Sequence, residues 1–120
     1  MKASAQPAAR RAPPFGDACV SADAALVRAF DLLGKRWTGV VLGTLAGGPA
    51  GFRSLARAVE GISDSMLSER LGELTTTGLV TRTVREGPPL SVIYGLTEAG
   101  SALLPALDRI RRWSEKHLPA

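Results

Sequence analysis

The sequence has few of the residues on which covalent or metal chemistry depends. It contains one cysteine, Cys19, and one histidine, His117, in 120 residues. A single cysteine excludes a disulfide framework within one chain, and one Cys with one His cannot complete a structural zinc site. We therefore expect no metal and no cofactor, and we interpret His117 as a surface or interface residue.

Aromatic residues and long apolar runs are also scarce. Aromatic side chains make up 5% of the chain and do not alternate with basic residues. Single-stranded nucleic acid binds by stacking its bases on aromatic side chains, so it is an unfavoured partner. No apolar run reaches the roughly 18 residues that a membrane helix needs, and Lys2 is not followed by the apolar segment of a secretory signal. We expect a cytoplasmic protein with no membrane partner.

Acidic residues are outnumbered, with 11 Asp and Glu against 15 Lys and Arg, which leaves a net charge of +4. This surplus suits a polyanion such as nucleic acid, and it also suits simple solubility. Residues 1–17, rich in Ala and Pro with three basic residues, are predicted to be a flexible basic tail. Arg10 and Arg11 leave open the alternative of an arm that enters a minor groove. Residues 18–118 are predicted to form one domain, and a domain this small gains stability by dimerising.

Helical periodicity predicts four helices in the first two-thirds of the domain and one at its end. The first helix is predicted within residues 21–33, with Ser21 or Asp23 as its N-cap and Gly34 after its end. The second is predicted over residues 37–46 and ends before a Gly-Gly-Pro sequence. A short helix over residues 52–59 comes next. The last helix begins after Thr97 and carries Pro105, which we expect to bend it or to weaken its first turns.

The fourth helix, residues 63–77, is the most informative. Ser63 is a good N-cap, and the apolar side chains at Leu67, Leu71 and Leu74 fall on one face. Gly78 supplies the left-handed residue that commonly ends a helix. The opposite face is short or polar, with Ser65, Ser68, Glu69, Gly72, Glu73 and Thr76.

The periodicity then changes from helical to two. Residues 79–85 alternate, residues 86–90 form a Gly-Pro-Pro loop, and residues 92–96 return as a second strand. The predicted fold is therefore mainly α with a small β-hairpin, in the order α-α-α-α-β-β-α. Two short helices joined by a glycine turn and followed by a hairpin are typical of a winged helix-turn-helix.

In such a module the second helix of the pair enters the major groove of duplex DNA. Residues 63–77, which we call the recognition helix, carry three acids and one base, so attraction to phosphate must come from flanking residues. For Arg70 we leave open a DNA contact or an internal ion pair with Glu73 or Glu69. The predicted DNA-binding residues are Ser63, Ser65, Met66, Ser68, Glu69 and Arg70 on the recognition helix, with Lys35, Arg36, Arg53, Arg57, Arg82 and Arg85 around it.

Four spaced blocks carry a family resemblance. They are LLGKRWT at 32–38, GISDSMLSERL at 61–71, GLV at 78–80 and YGLTEAG at 94–100, with Trp113 near the end. Together they resemble HxlR-type winged helix-turn-helix regulators over residues 19–118.

The resemblance implies a bacterial transcription regulator that binds DNA as a homodimer. In this family the first and last helices form most of the dimer interface. The implied interface residues are Leu26, Phe30, Leu103, Leu107, Ile110 and Trp113. It also implies a cysteine before the first helix that responds to oxidants or electrophiles in some members. Cys19 holds that place, although Val20 stands where the family usually has proline.

From the residues alone, Cys19 has two interpretations. A nearby helix N-terminus would favour a reactive thiolate, whereas Asp17 and Asp23 would oppose it. An inert, partly buried residue is the alternative to a sensor.

The function predicted is a sequence-specific transcriptional regulator, by default a repressor, on an inverted-repeat operator, with an oxidant or small molecule as a further partner. One alternative is a winged helix used only for protein interaction. An enzyme is disfavoured, because only a Cys19–His117 pair would offer a nucleophile and a base.

Overall fold

The computed structural model describes residues 20–120. The predicted tail and Cys19 therefore lie outside the described residues. The chain divides into two compact units between Asp31 and Leu32, and each is considered by itself. The elements in chain order are α1 (Ala24–Leu33), α2 (Thr38–Thr44) with a 3-10 turn (Leu45–Gly47), β1 (Ala50–Gly51), α3 (Phe52–Ala58), α4 (Asp64–Thr76), β2 (Val80–Arg85), β3 (Ser91–Leu96), α5 (Glu98–Ala102) and α6 (Leu104–His117). Within residues 20–120, no helix combines the length and apolar character needed to cross a bilayer.

The first unit contains most of α1. The Asp23 carboxylate accepts a hydrogen bond from the Leu26 backbone N–H at 2.9 Å, so Asp23, of the two candidates, caps the helix. Leu26, Val27 and Phe30 are exposed by 57%, 46% and 55%. The helix thus presents apolar side chains that this chain leaves in solvent.

The core of the second unit is built on the leucines of α4. Leu67, Leu71 and Leu74 are at most 1% exposed, as the periodicity of the recognition helix predicts. They cluster with residues from α2, the 3-10 turn, α3 and β2, namely Val41, Leu42, Leu45, Leu55 and Val80. Burial of this seam fixes which side of α4 faces inward.

The sheet has three antiparallel strands in the order β1-β3-β2. In the hairpin, Val80 pairs with Leu96 and Arg85 with Ser91. The two-residue β1 pairs Ala50 with Tyr94 and was not predicted, because two residues are too short to show a period. The predicted fold class, mainly helical with a small antiparallel sheet, is confirmed.

The predicted terminal helix, which Pro105 was expected to bend or to weaken in its first turns, is two helices in the structure. It is interrupted at Leu103, between α5 and α6, and Pro105 lies in the first turn of α6. Proline is tolerated there because the first backbone N–H groups of a helix have no partner within it. Pro105 therefore starts a new helix instead of bending a continuous one.

Helix α5 packs closely on the turn that joins α4 to β2. Thr97 caps α5 by accepting from the Gly100 N–H at 3.1 Å, and its hydroxyl donates to the Gly78 carbonyl at 2.7 Å. A Cβ placed at Gly100 would overlap the backbone carbonyl of Leu79. Only glycine fits this approach without moving the backbone.

We expect Gly100→Ala to lower the free energy of unfolding by about 2 kcal/mol, because overpacking against backbone forces a shift. The matched control is Gly72→Ala in α4, where an added Cβ meets nothing within 4 Å. That change should raise stability by about 0.5–1 kcal/mol through helix propensity. Urea unfolding measures both, and equal effects of the two substitutions would contradict the close packing.

Candidate nucleic-acid interface

Helices α3 and α4 are joined by a tight turn that orients the second helix. Gly61 in this turn has φ of +91°, a conformation that side-chain-bearing residues rarely adopt. Ser63 then caps α4, its hydroxyl accepting from the Met66 backbone N–H at 3.1 Å. The remaining free N–H groups at this helix end give it partial positive charge.

The polar face of α4 is exposed. Ser65, Ser68 and Glu69 are all exposed and Met66 is half-buried. The hydroxyl of Ser63 is engaged by the cap and lies 3.3 Å from that of Ser65. Ser65, Ser68 and Glu69 are therefore the predicted residues most available for contacts outside the protein.

The two arginines of α3 differ in their contacts. The Arg53 guanidinium lies 2.6 Å from the Asp64 carboxylate and 5.0 Å from the centre of the Phe52 ring. Arg57 is exposed and forms no ion pair with any of residues 20–120. Arg57 thus has its full charge available for phosphate, while Arg53 partly neutralises the first turn of α4.

Arg70 lies inside the protein, which resolves the two alternatives for this residue. Its side chain is 11% exposed. The Nε–H donates to the Arg36 carbonyl and an Nη1–H to Glu73, both at 2.9 Å. The guanidinium is occupied by internal partners, so of the two alternatives the internal ion pair is the one that the structure contains.

Glu73 is partly buried, with its side chain 33% exposed, although its position in the sequence suggested the exposed polar face. Lys35 lies 3.3 Å from it. Desolvation opposes ionisation of this carboxyl, but the hydrogen bond and charge of Lys35, followed by the charge and hydrogen bond of Arg70, hold its pKa below the ordinary value. The ammonium of Lys35 is thus shared with an internal carboxylate.

The two arginines of the hairpin point to opposite faces of the sheet. Side chains alternate along a strand, so Arg82 shares a face with the buried Val80, whereas Arg85 lies on the other face. Arg85 borders a cavity of about 440 Å³ there. Both are exposed and neither forms an ion pair within residues 20–120.

A second surface lies between α2 and α6. It is an apolar groove of about 870 Å³ whose floor includes Gly39 and Gly43. At its rim Val40 and Ile110 are 54% and 49% exposed. We call this the α2–α6 groove. Sequence reasoning missed its α2 side, for which two glycines four residues apart within a helix were the available signal.

Of the predicted interface residues on the last helices, two lie against this chain's own core. Leu103 and Leu107 are partly buried on it, whereas Ile110 and Trp113 are 49% and 55% exposed. The exposed pair is free to contact another molecule without disturbing the core.

Comparisons with known proteins agree with this geometry. The family model for HxlR-like helix-turn-helix proteins matches residues 32–120. The HTH-type transcriptional regulator YodB of Bacillus subtilis (strain 168) is 41% identical over 88 residues, covering 73% of this chain and 79% of YodB.

Solved structures of such regulators are similar in fold. The quinone-bound form of YodB superposes with a TM-score of 0.68 at 37% identity, covering 78% of this chain and 99% of that one. The redox regulator HypR in its oxidised form gives a TM-score of 0.75 at 29% identity, covering 80% and 99%.

Proposed function

Because the chain belongs to the HxlR-like helix-turn-helix family of transcriptional regulators, we propose that it represses transcription as a homodimer bound to an inverted repeat in duplex DNA. The observation that carries the proposal is the exposed Ser65, Ser68 and Glu69 face of a capped helix whose other face is buried. This role is regulatory and not catalytic. It would place the protein with the chromosome in the cytoplasm.

Sequence discrimination is assigned to α4. Serine hydroxyls can serve donor or acceptor groups on base edges, and the Glu69 carboxylate can accept from the cytosine amino group in the major groove. Two such helices about 34 Å apart, one helical turn of DNA, would meet the two halves of an inverted repeat.

Phosphate attraction is assigned to residues around α4. Arg57, Arg82 and Arg85 have no internal ion pair among residues 20–120, so they keep their charge for the backbone. Lys35, Arg36 and Arg53 are secondary contributors, since each also has an interaction within the protein. The acids of α4 limit attraction from the recognition helix itself.

We expect Ser65→Ala and Glu69→Ala to change the preferred base sequence, because each removes a base-edge contact and neither removes a phosphate contact. Arg85→Ala should weaken binding to every duplex by a similar factor and reduce the salt slope by about 0.9. Selection from a random duplex library, followed by fluorescence anisotropy at several salt concentrations, measures both effects.

Ser101→Ala, an exposed serine on α5, is the matched control and should change neither preference nor slope. If the wild-type protein retains no duplex even at low salt, the alternative of an interaction module is favoured. If Ser65→Ala lowers the affinity for every duplex by the same factor, α4 docks on DNA differently from the arrangement proposed.

Dimerisation is supported by apolar surface that one copy leaves uncovered. Leu26 and Phe30 on α1, Ile110 and Trp113 on α6, and Val40 at the rim of the α2–α6 groove are all about half exposed. Exposed apolar surface of this kind often marks an interface. Among residues 20–120, an added Cβ at Gly43 would meet nothing within 4 Å. The groove beside Gly43 therefore leaves room for close approach by a helix of a second copy.

We expect Trp113→Glu to yield folded monomers and to lower operator affinity on the order of a hundredfold, because the second recognition helix would no longer bind from the same molecule. Trp113 is half exposed, so its replacement should not unfold the chain. Sedimentation velocity and circular dichroism measure the two properties. Glu115→Ala, on the other side of α6, is the control, and a dimer that survives Trp113→Glu would rule out this interface.

We further propose that oxidants release the protein from DNA through Cys19, the single cysteine of the chain. Support comes from the solved relatives, which include a quinone-bound YodB and a redox regulator, HypR. In a dimer, two Cys19 thiolates would form a disulfide, giving up two electrons to an oxidant such as diamide. Their Cα atoms would need to come within about 7 Å.

We expect diamide to lower the operator affinity of the wild-type protein and to leave that of Cys19→Ser unchanged, because serine cannot form a disulfide. Gel shift before and after addition of dithiothreitol, with non-reducing electrophoresis of the same samples, gives the measurement. An equal response of the two proteins would assign Cys19 the alternative, inert role.

A further inference from the structure

We propose that Arg70 is a positioning residue for sequence discrimination, which sets the orientation of α4 by tying it to the segment Lys35–Trp37 between α1 and α2. The proposal rests on the proposed function, in which α4 contacts base edges. Arg70 itself is assigned no contact with DNA.

The contacts of Arg70 join two parts of the chain that are far apart in sequence. Its Nε–H donates to the Arg36 carbonyl and its Nη1–H to Glu73, both at 2.9 Å. Glu69 lies 3.6 Å from the same Nη1 atom. Glu73 in turn holds Lys35 at 3.3 Å. A backbone carbonyl, a guanidinium, a carboxylate and an ammonium thus connect the middle of α4 to one short segment.

The segment that receives Arg70 is itself held in a defined conformation. Trp37 has φ of +81°, which is rare for a residue with a large side chain and persists only where its surroundings enforce it. The Arg36 guanidinium lies 4.6 Å from the centre of the Trp37 ring. A carbonyl in such a segment offers a fixed acceptor, whereas one in a free loop would move.

The same segment also touches the turn that precedes α4. The Trp37 ring lies close to Gly61, where an added Cβ would be 3.4 Å from its Cη2 atom. Segment Lys35–Trp37 therefore meets α4 at two levels, its entry turn through Trp37 and its middle through Arg70. Two points of contact define the direction of a helix axis, which one contact does not.

Orientation matters unequally for the two kinds of DNA contact. Hydrogen bonds to base edges require specific distances and angles, whereas attraction to phosphate depends weakly on geometry. Loss of the Arg70 contacts should therefore reduce discrimination between sequences more than overall attraction. A lysine at this position would keep the charge but has no second donor in the fixed fork of a guanidinium.

The test compares Arg70→Lys and Arg70→Met with the wild-type protein on two duplexes, one selected from a random library and one of shuffled sequence. Affinity is measured at several salt concentrations, at a temperature where circular dichroism shows each variant to be folded. We expect both variants to lose about tenfold in affinity for the selected duplex and to keep their affinity for the shuffled duplex. The salt slope should be unchanged.

Glu73→Gln is the graded variant, because it weakens one arm of the fork and leaves the bond to the Arg36 carbonyl. Its loss of affinity for the selected duplex should be smaller than that of Arg70→Lys. Arg109→Lys is the matched control, since it keeps a charge at an exposed position on α6, away from the proposed DNA contacts, and should leave the ratio of the two affinities unchanged. If Arg70→Met does not fold, Arg70→Lys and Glu73→Gln still decide the question.

Three outcomes would overturn the proposal. Equal losses on both duplexes would indicate a role in stability alone, and a salt slope smaller by about one phosphate contact would indicate direct binding. Full discrimination by Arg70→Lys would show that charge without the fork is sufficient. Failure of the proposed function is distinguishable, because the wild-type protein would then show no preference between the duplexes.

Discussion

The orientation of every proposed DNA contact depends on the burial of three leucines. Leu67, Leu71 and Leu74 are almost fully removed from solvent, and each such burial stabilises the fold by about 1.5–3 kcal/mol. A rotation of α4 about its axis would expose this seam, so the helix has one stable face inward. The face of α4 with Ser65, Ser68 and Glu69 is exposed as a consequence of this packing, whatever the polarity of those side chains.

Charge placement explains how a recognition helix with three acids and one base serves a DNA-binding protein. Asp64 pairs with Arg53, while Glu73 pairs with both Arg70 and Lys35. These carboxylates hold neighbouring parts of the protein in place. Glu69 also lies 3.6 Å from Arg70, but its side chain is 61% exposed, so it is the acid that we propose faces the bases. Because several cations are shared in this way, the proposed long-range attraction to DNA depends on Arg57, Arg82 and Arg85, which form no ion pair among residues 20–120. Such attraction falls as salt rises.

The sequence was sufficient wherever local rules decide the structure. The Ser63 cap, the inward leucines of α4 and the two strands of the hairpin follow from capping, periodicity and alternation, and the structure agrees with each. It was insufficient where distant parts of the chain meet. The strand at Ala50–Gly51 exists only because Tyr94 and Ile93 lie beside it. Likewise, the choice between the two alternatives for Arg70 depends on a carbonyl 34 residues away.

In the proposed dimer, the exposed apolar residues and the internal contacts of α4 would both determine the spacing of the two recognition helices. An inverted repeat fixes the distance between its half-sites, so a dimer binds both only if each α4 is held rigidly within its own protomer. A symmetric interface alone sets the distance between protomers, but not the direction of α4 in either. Contacts of the Arg70 kind supply that second constraint, since they bind α4 to the segment that follows α1 in the chain. A change in that segment would reach the recognition helix through the Arg70 guanidinium and through Trp37, which packs against the leucine core.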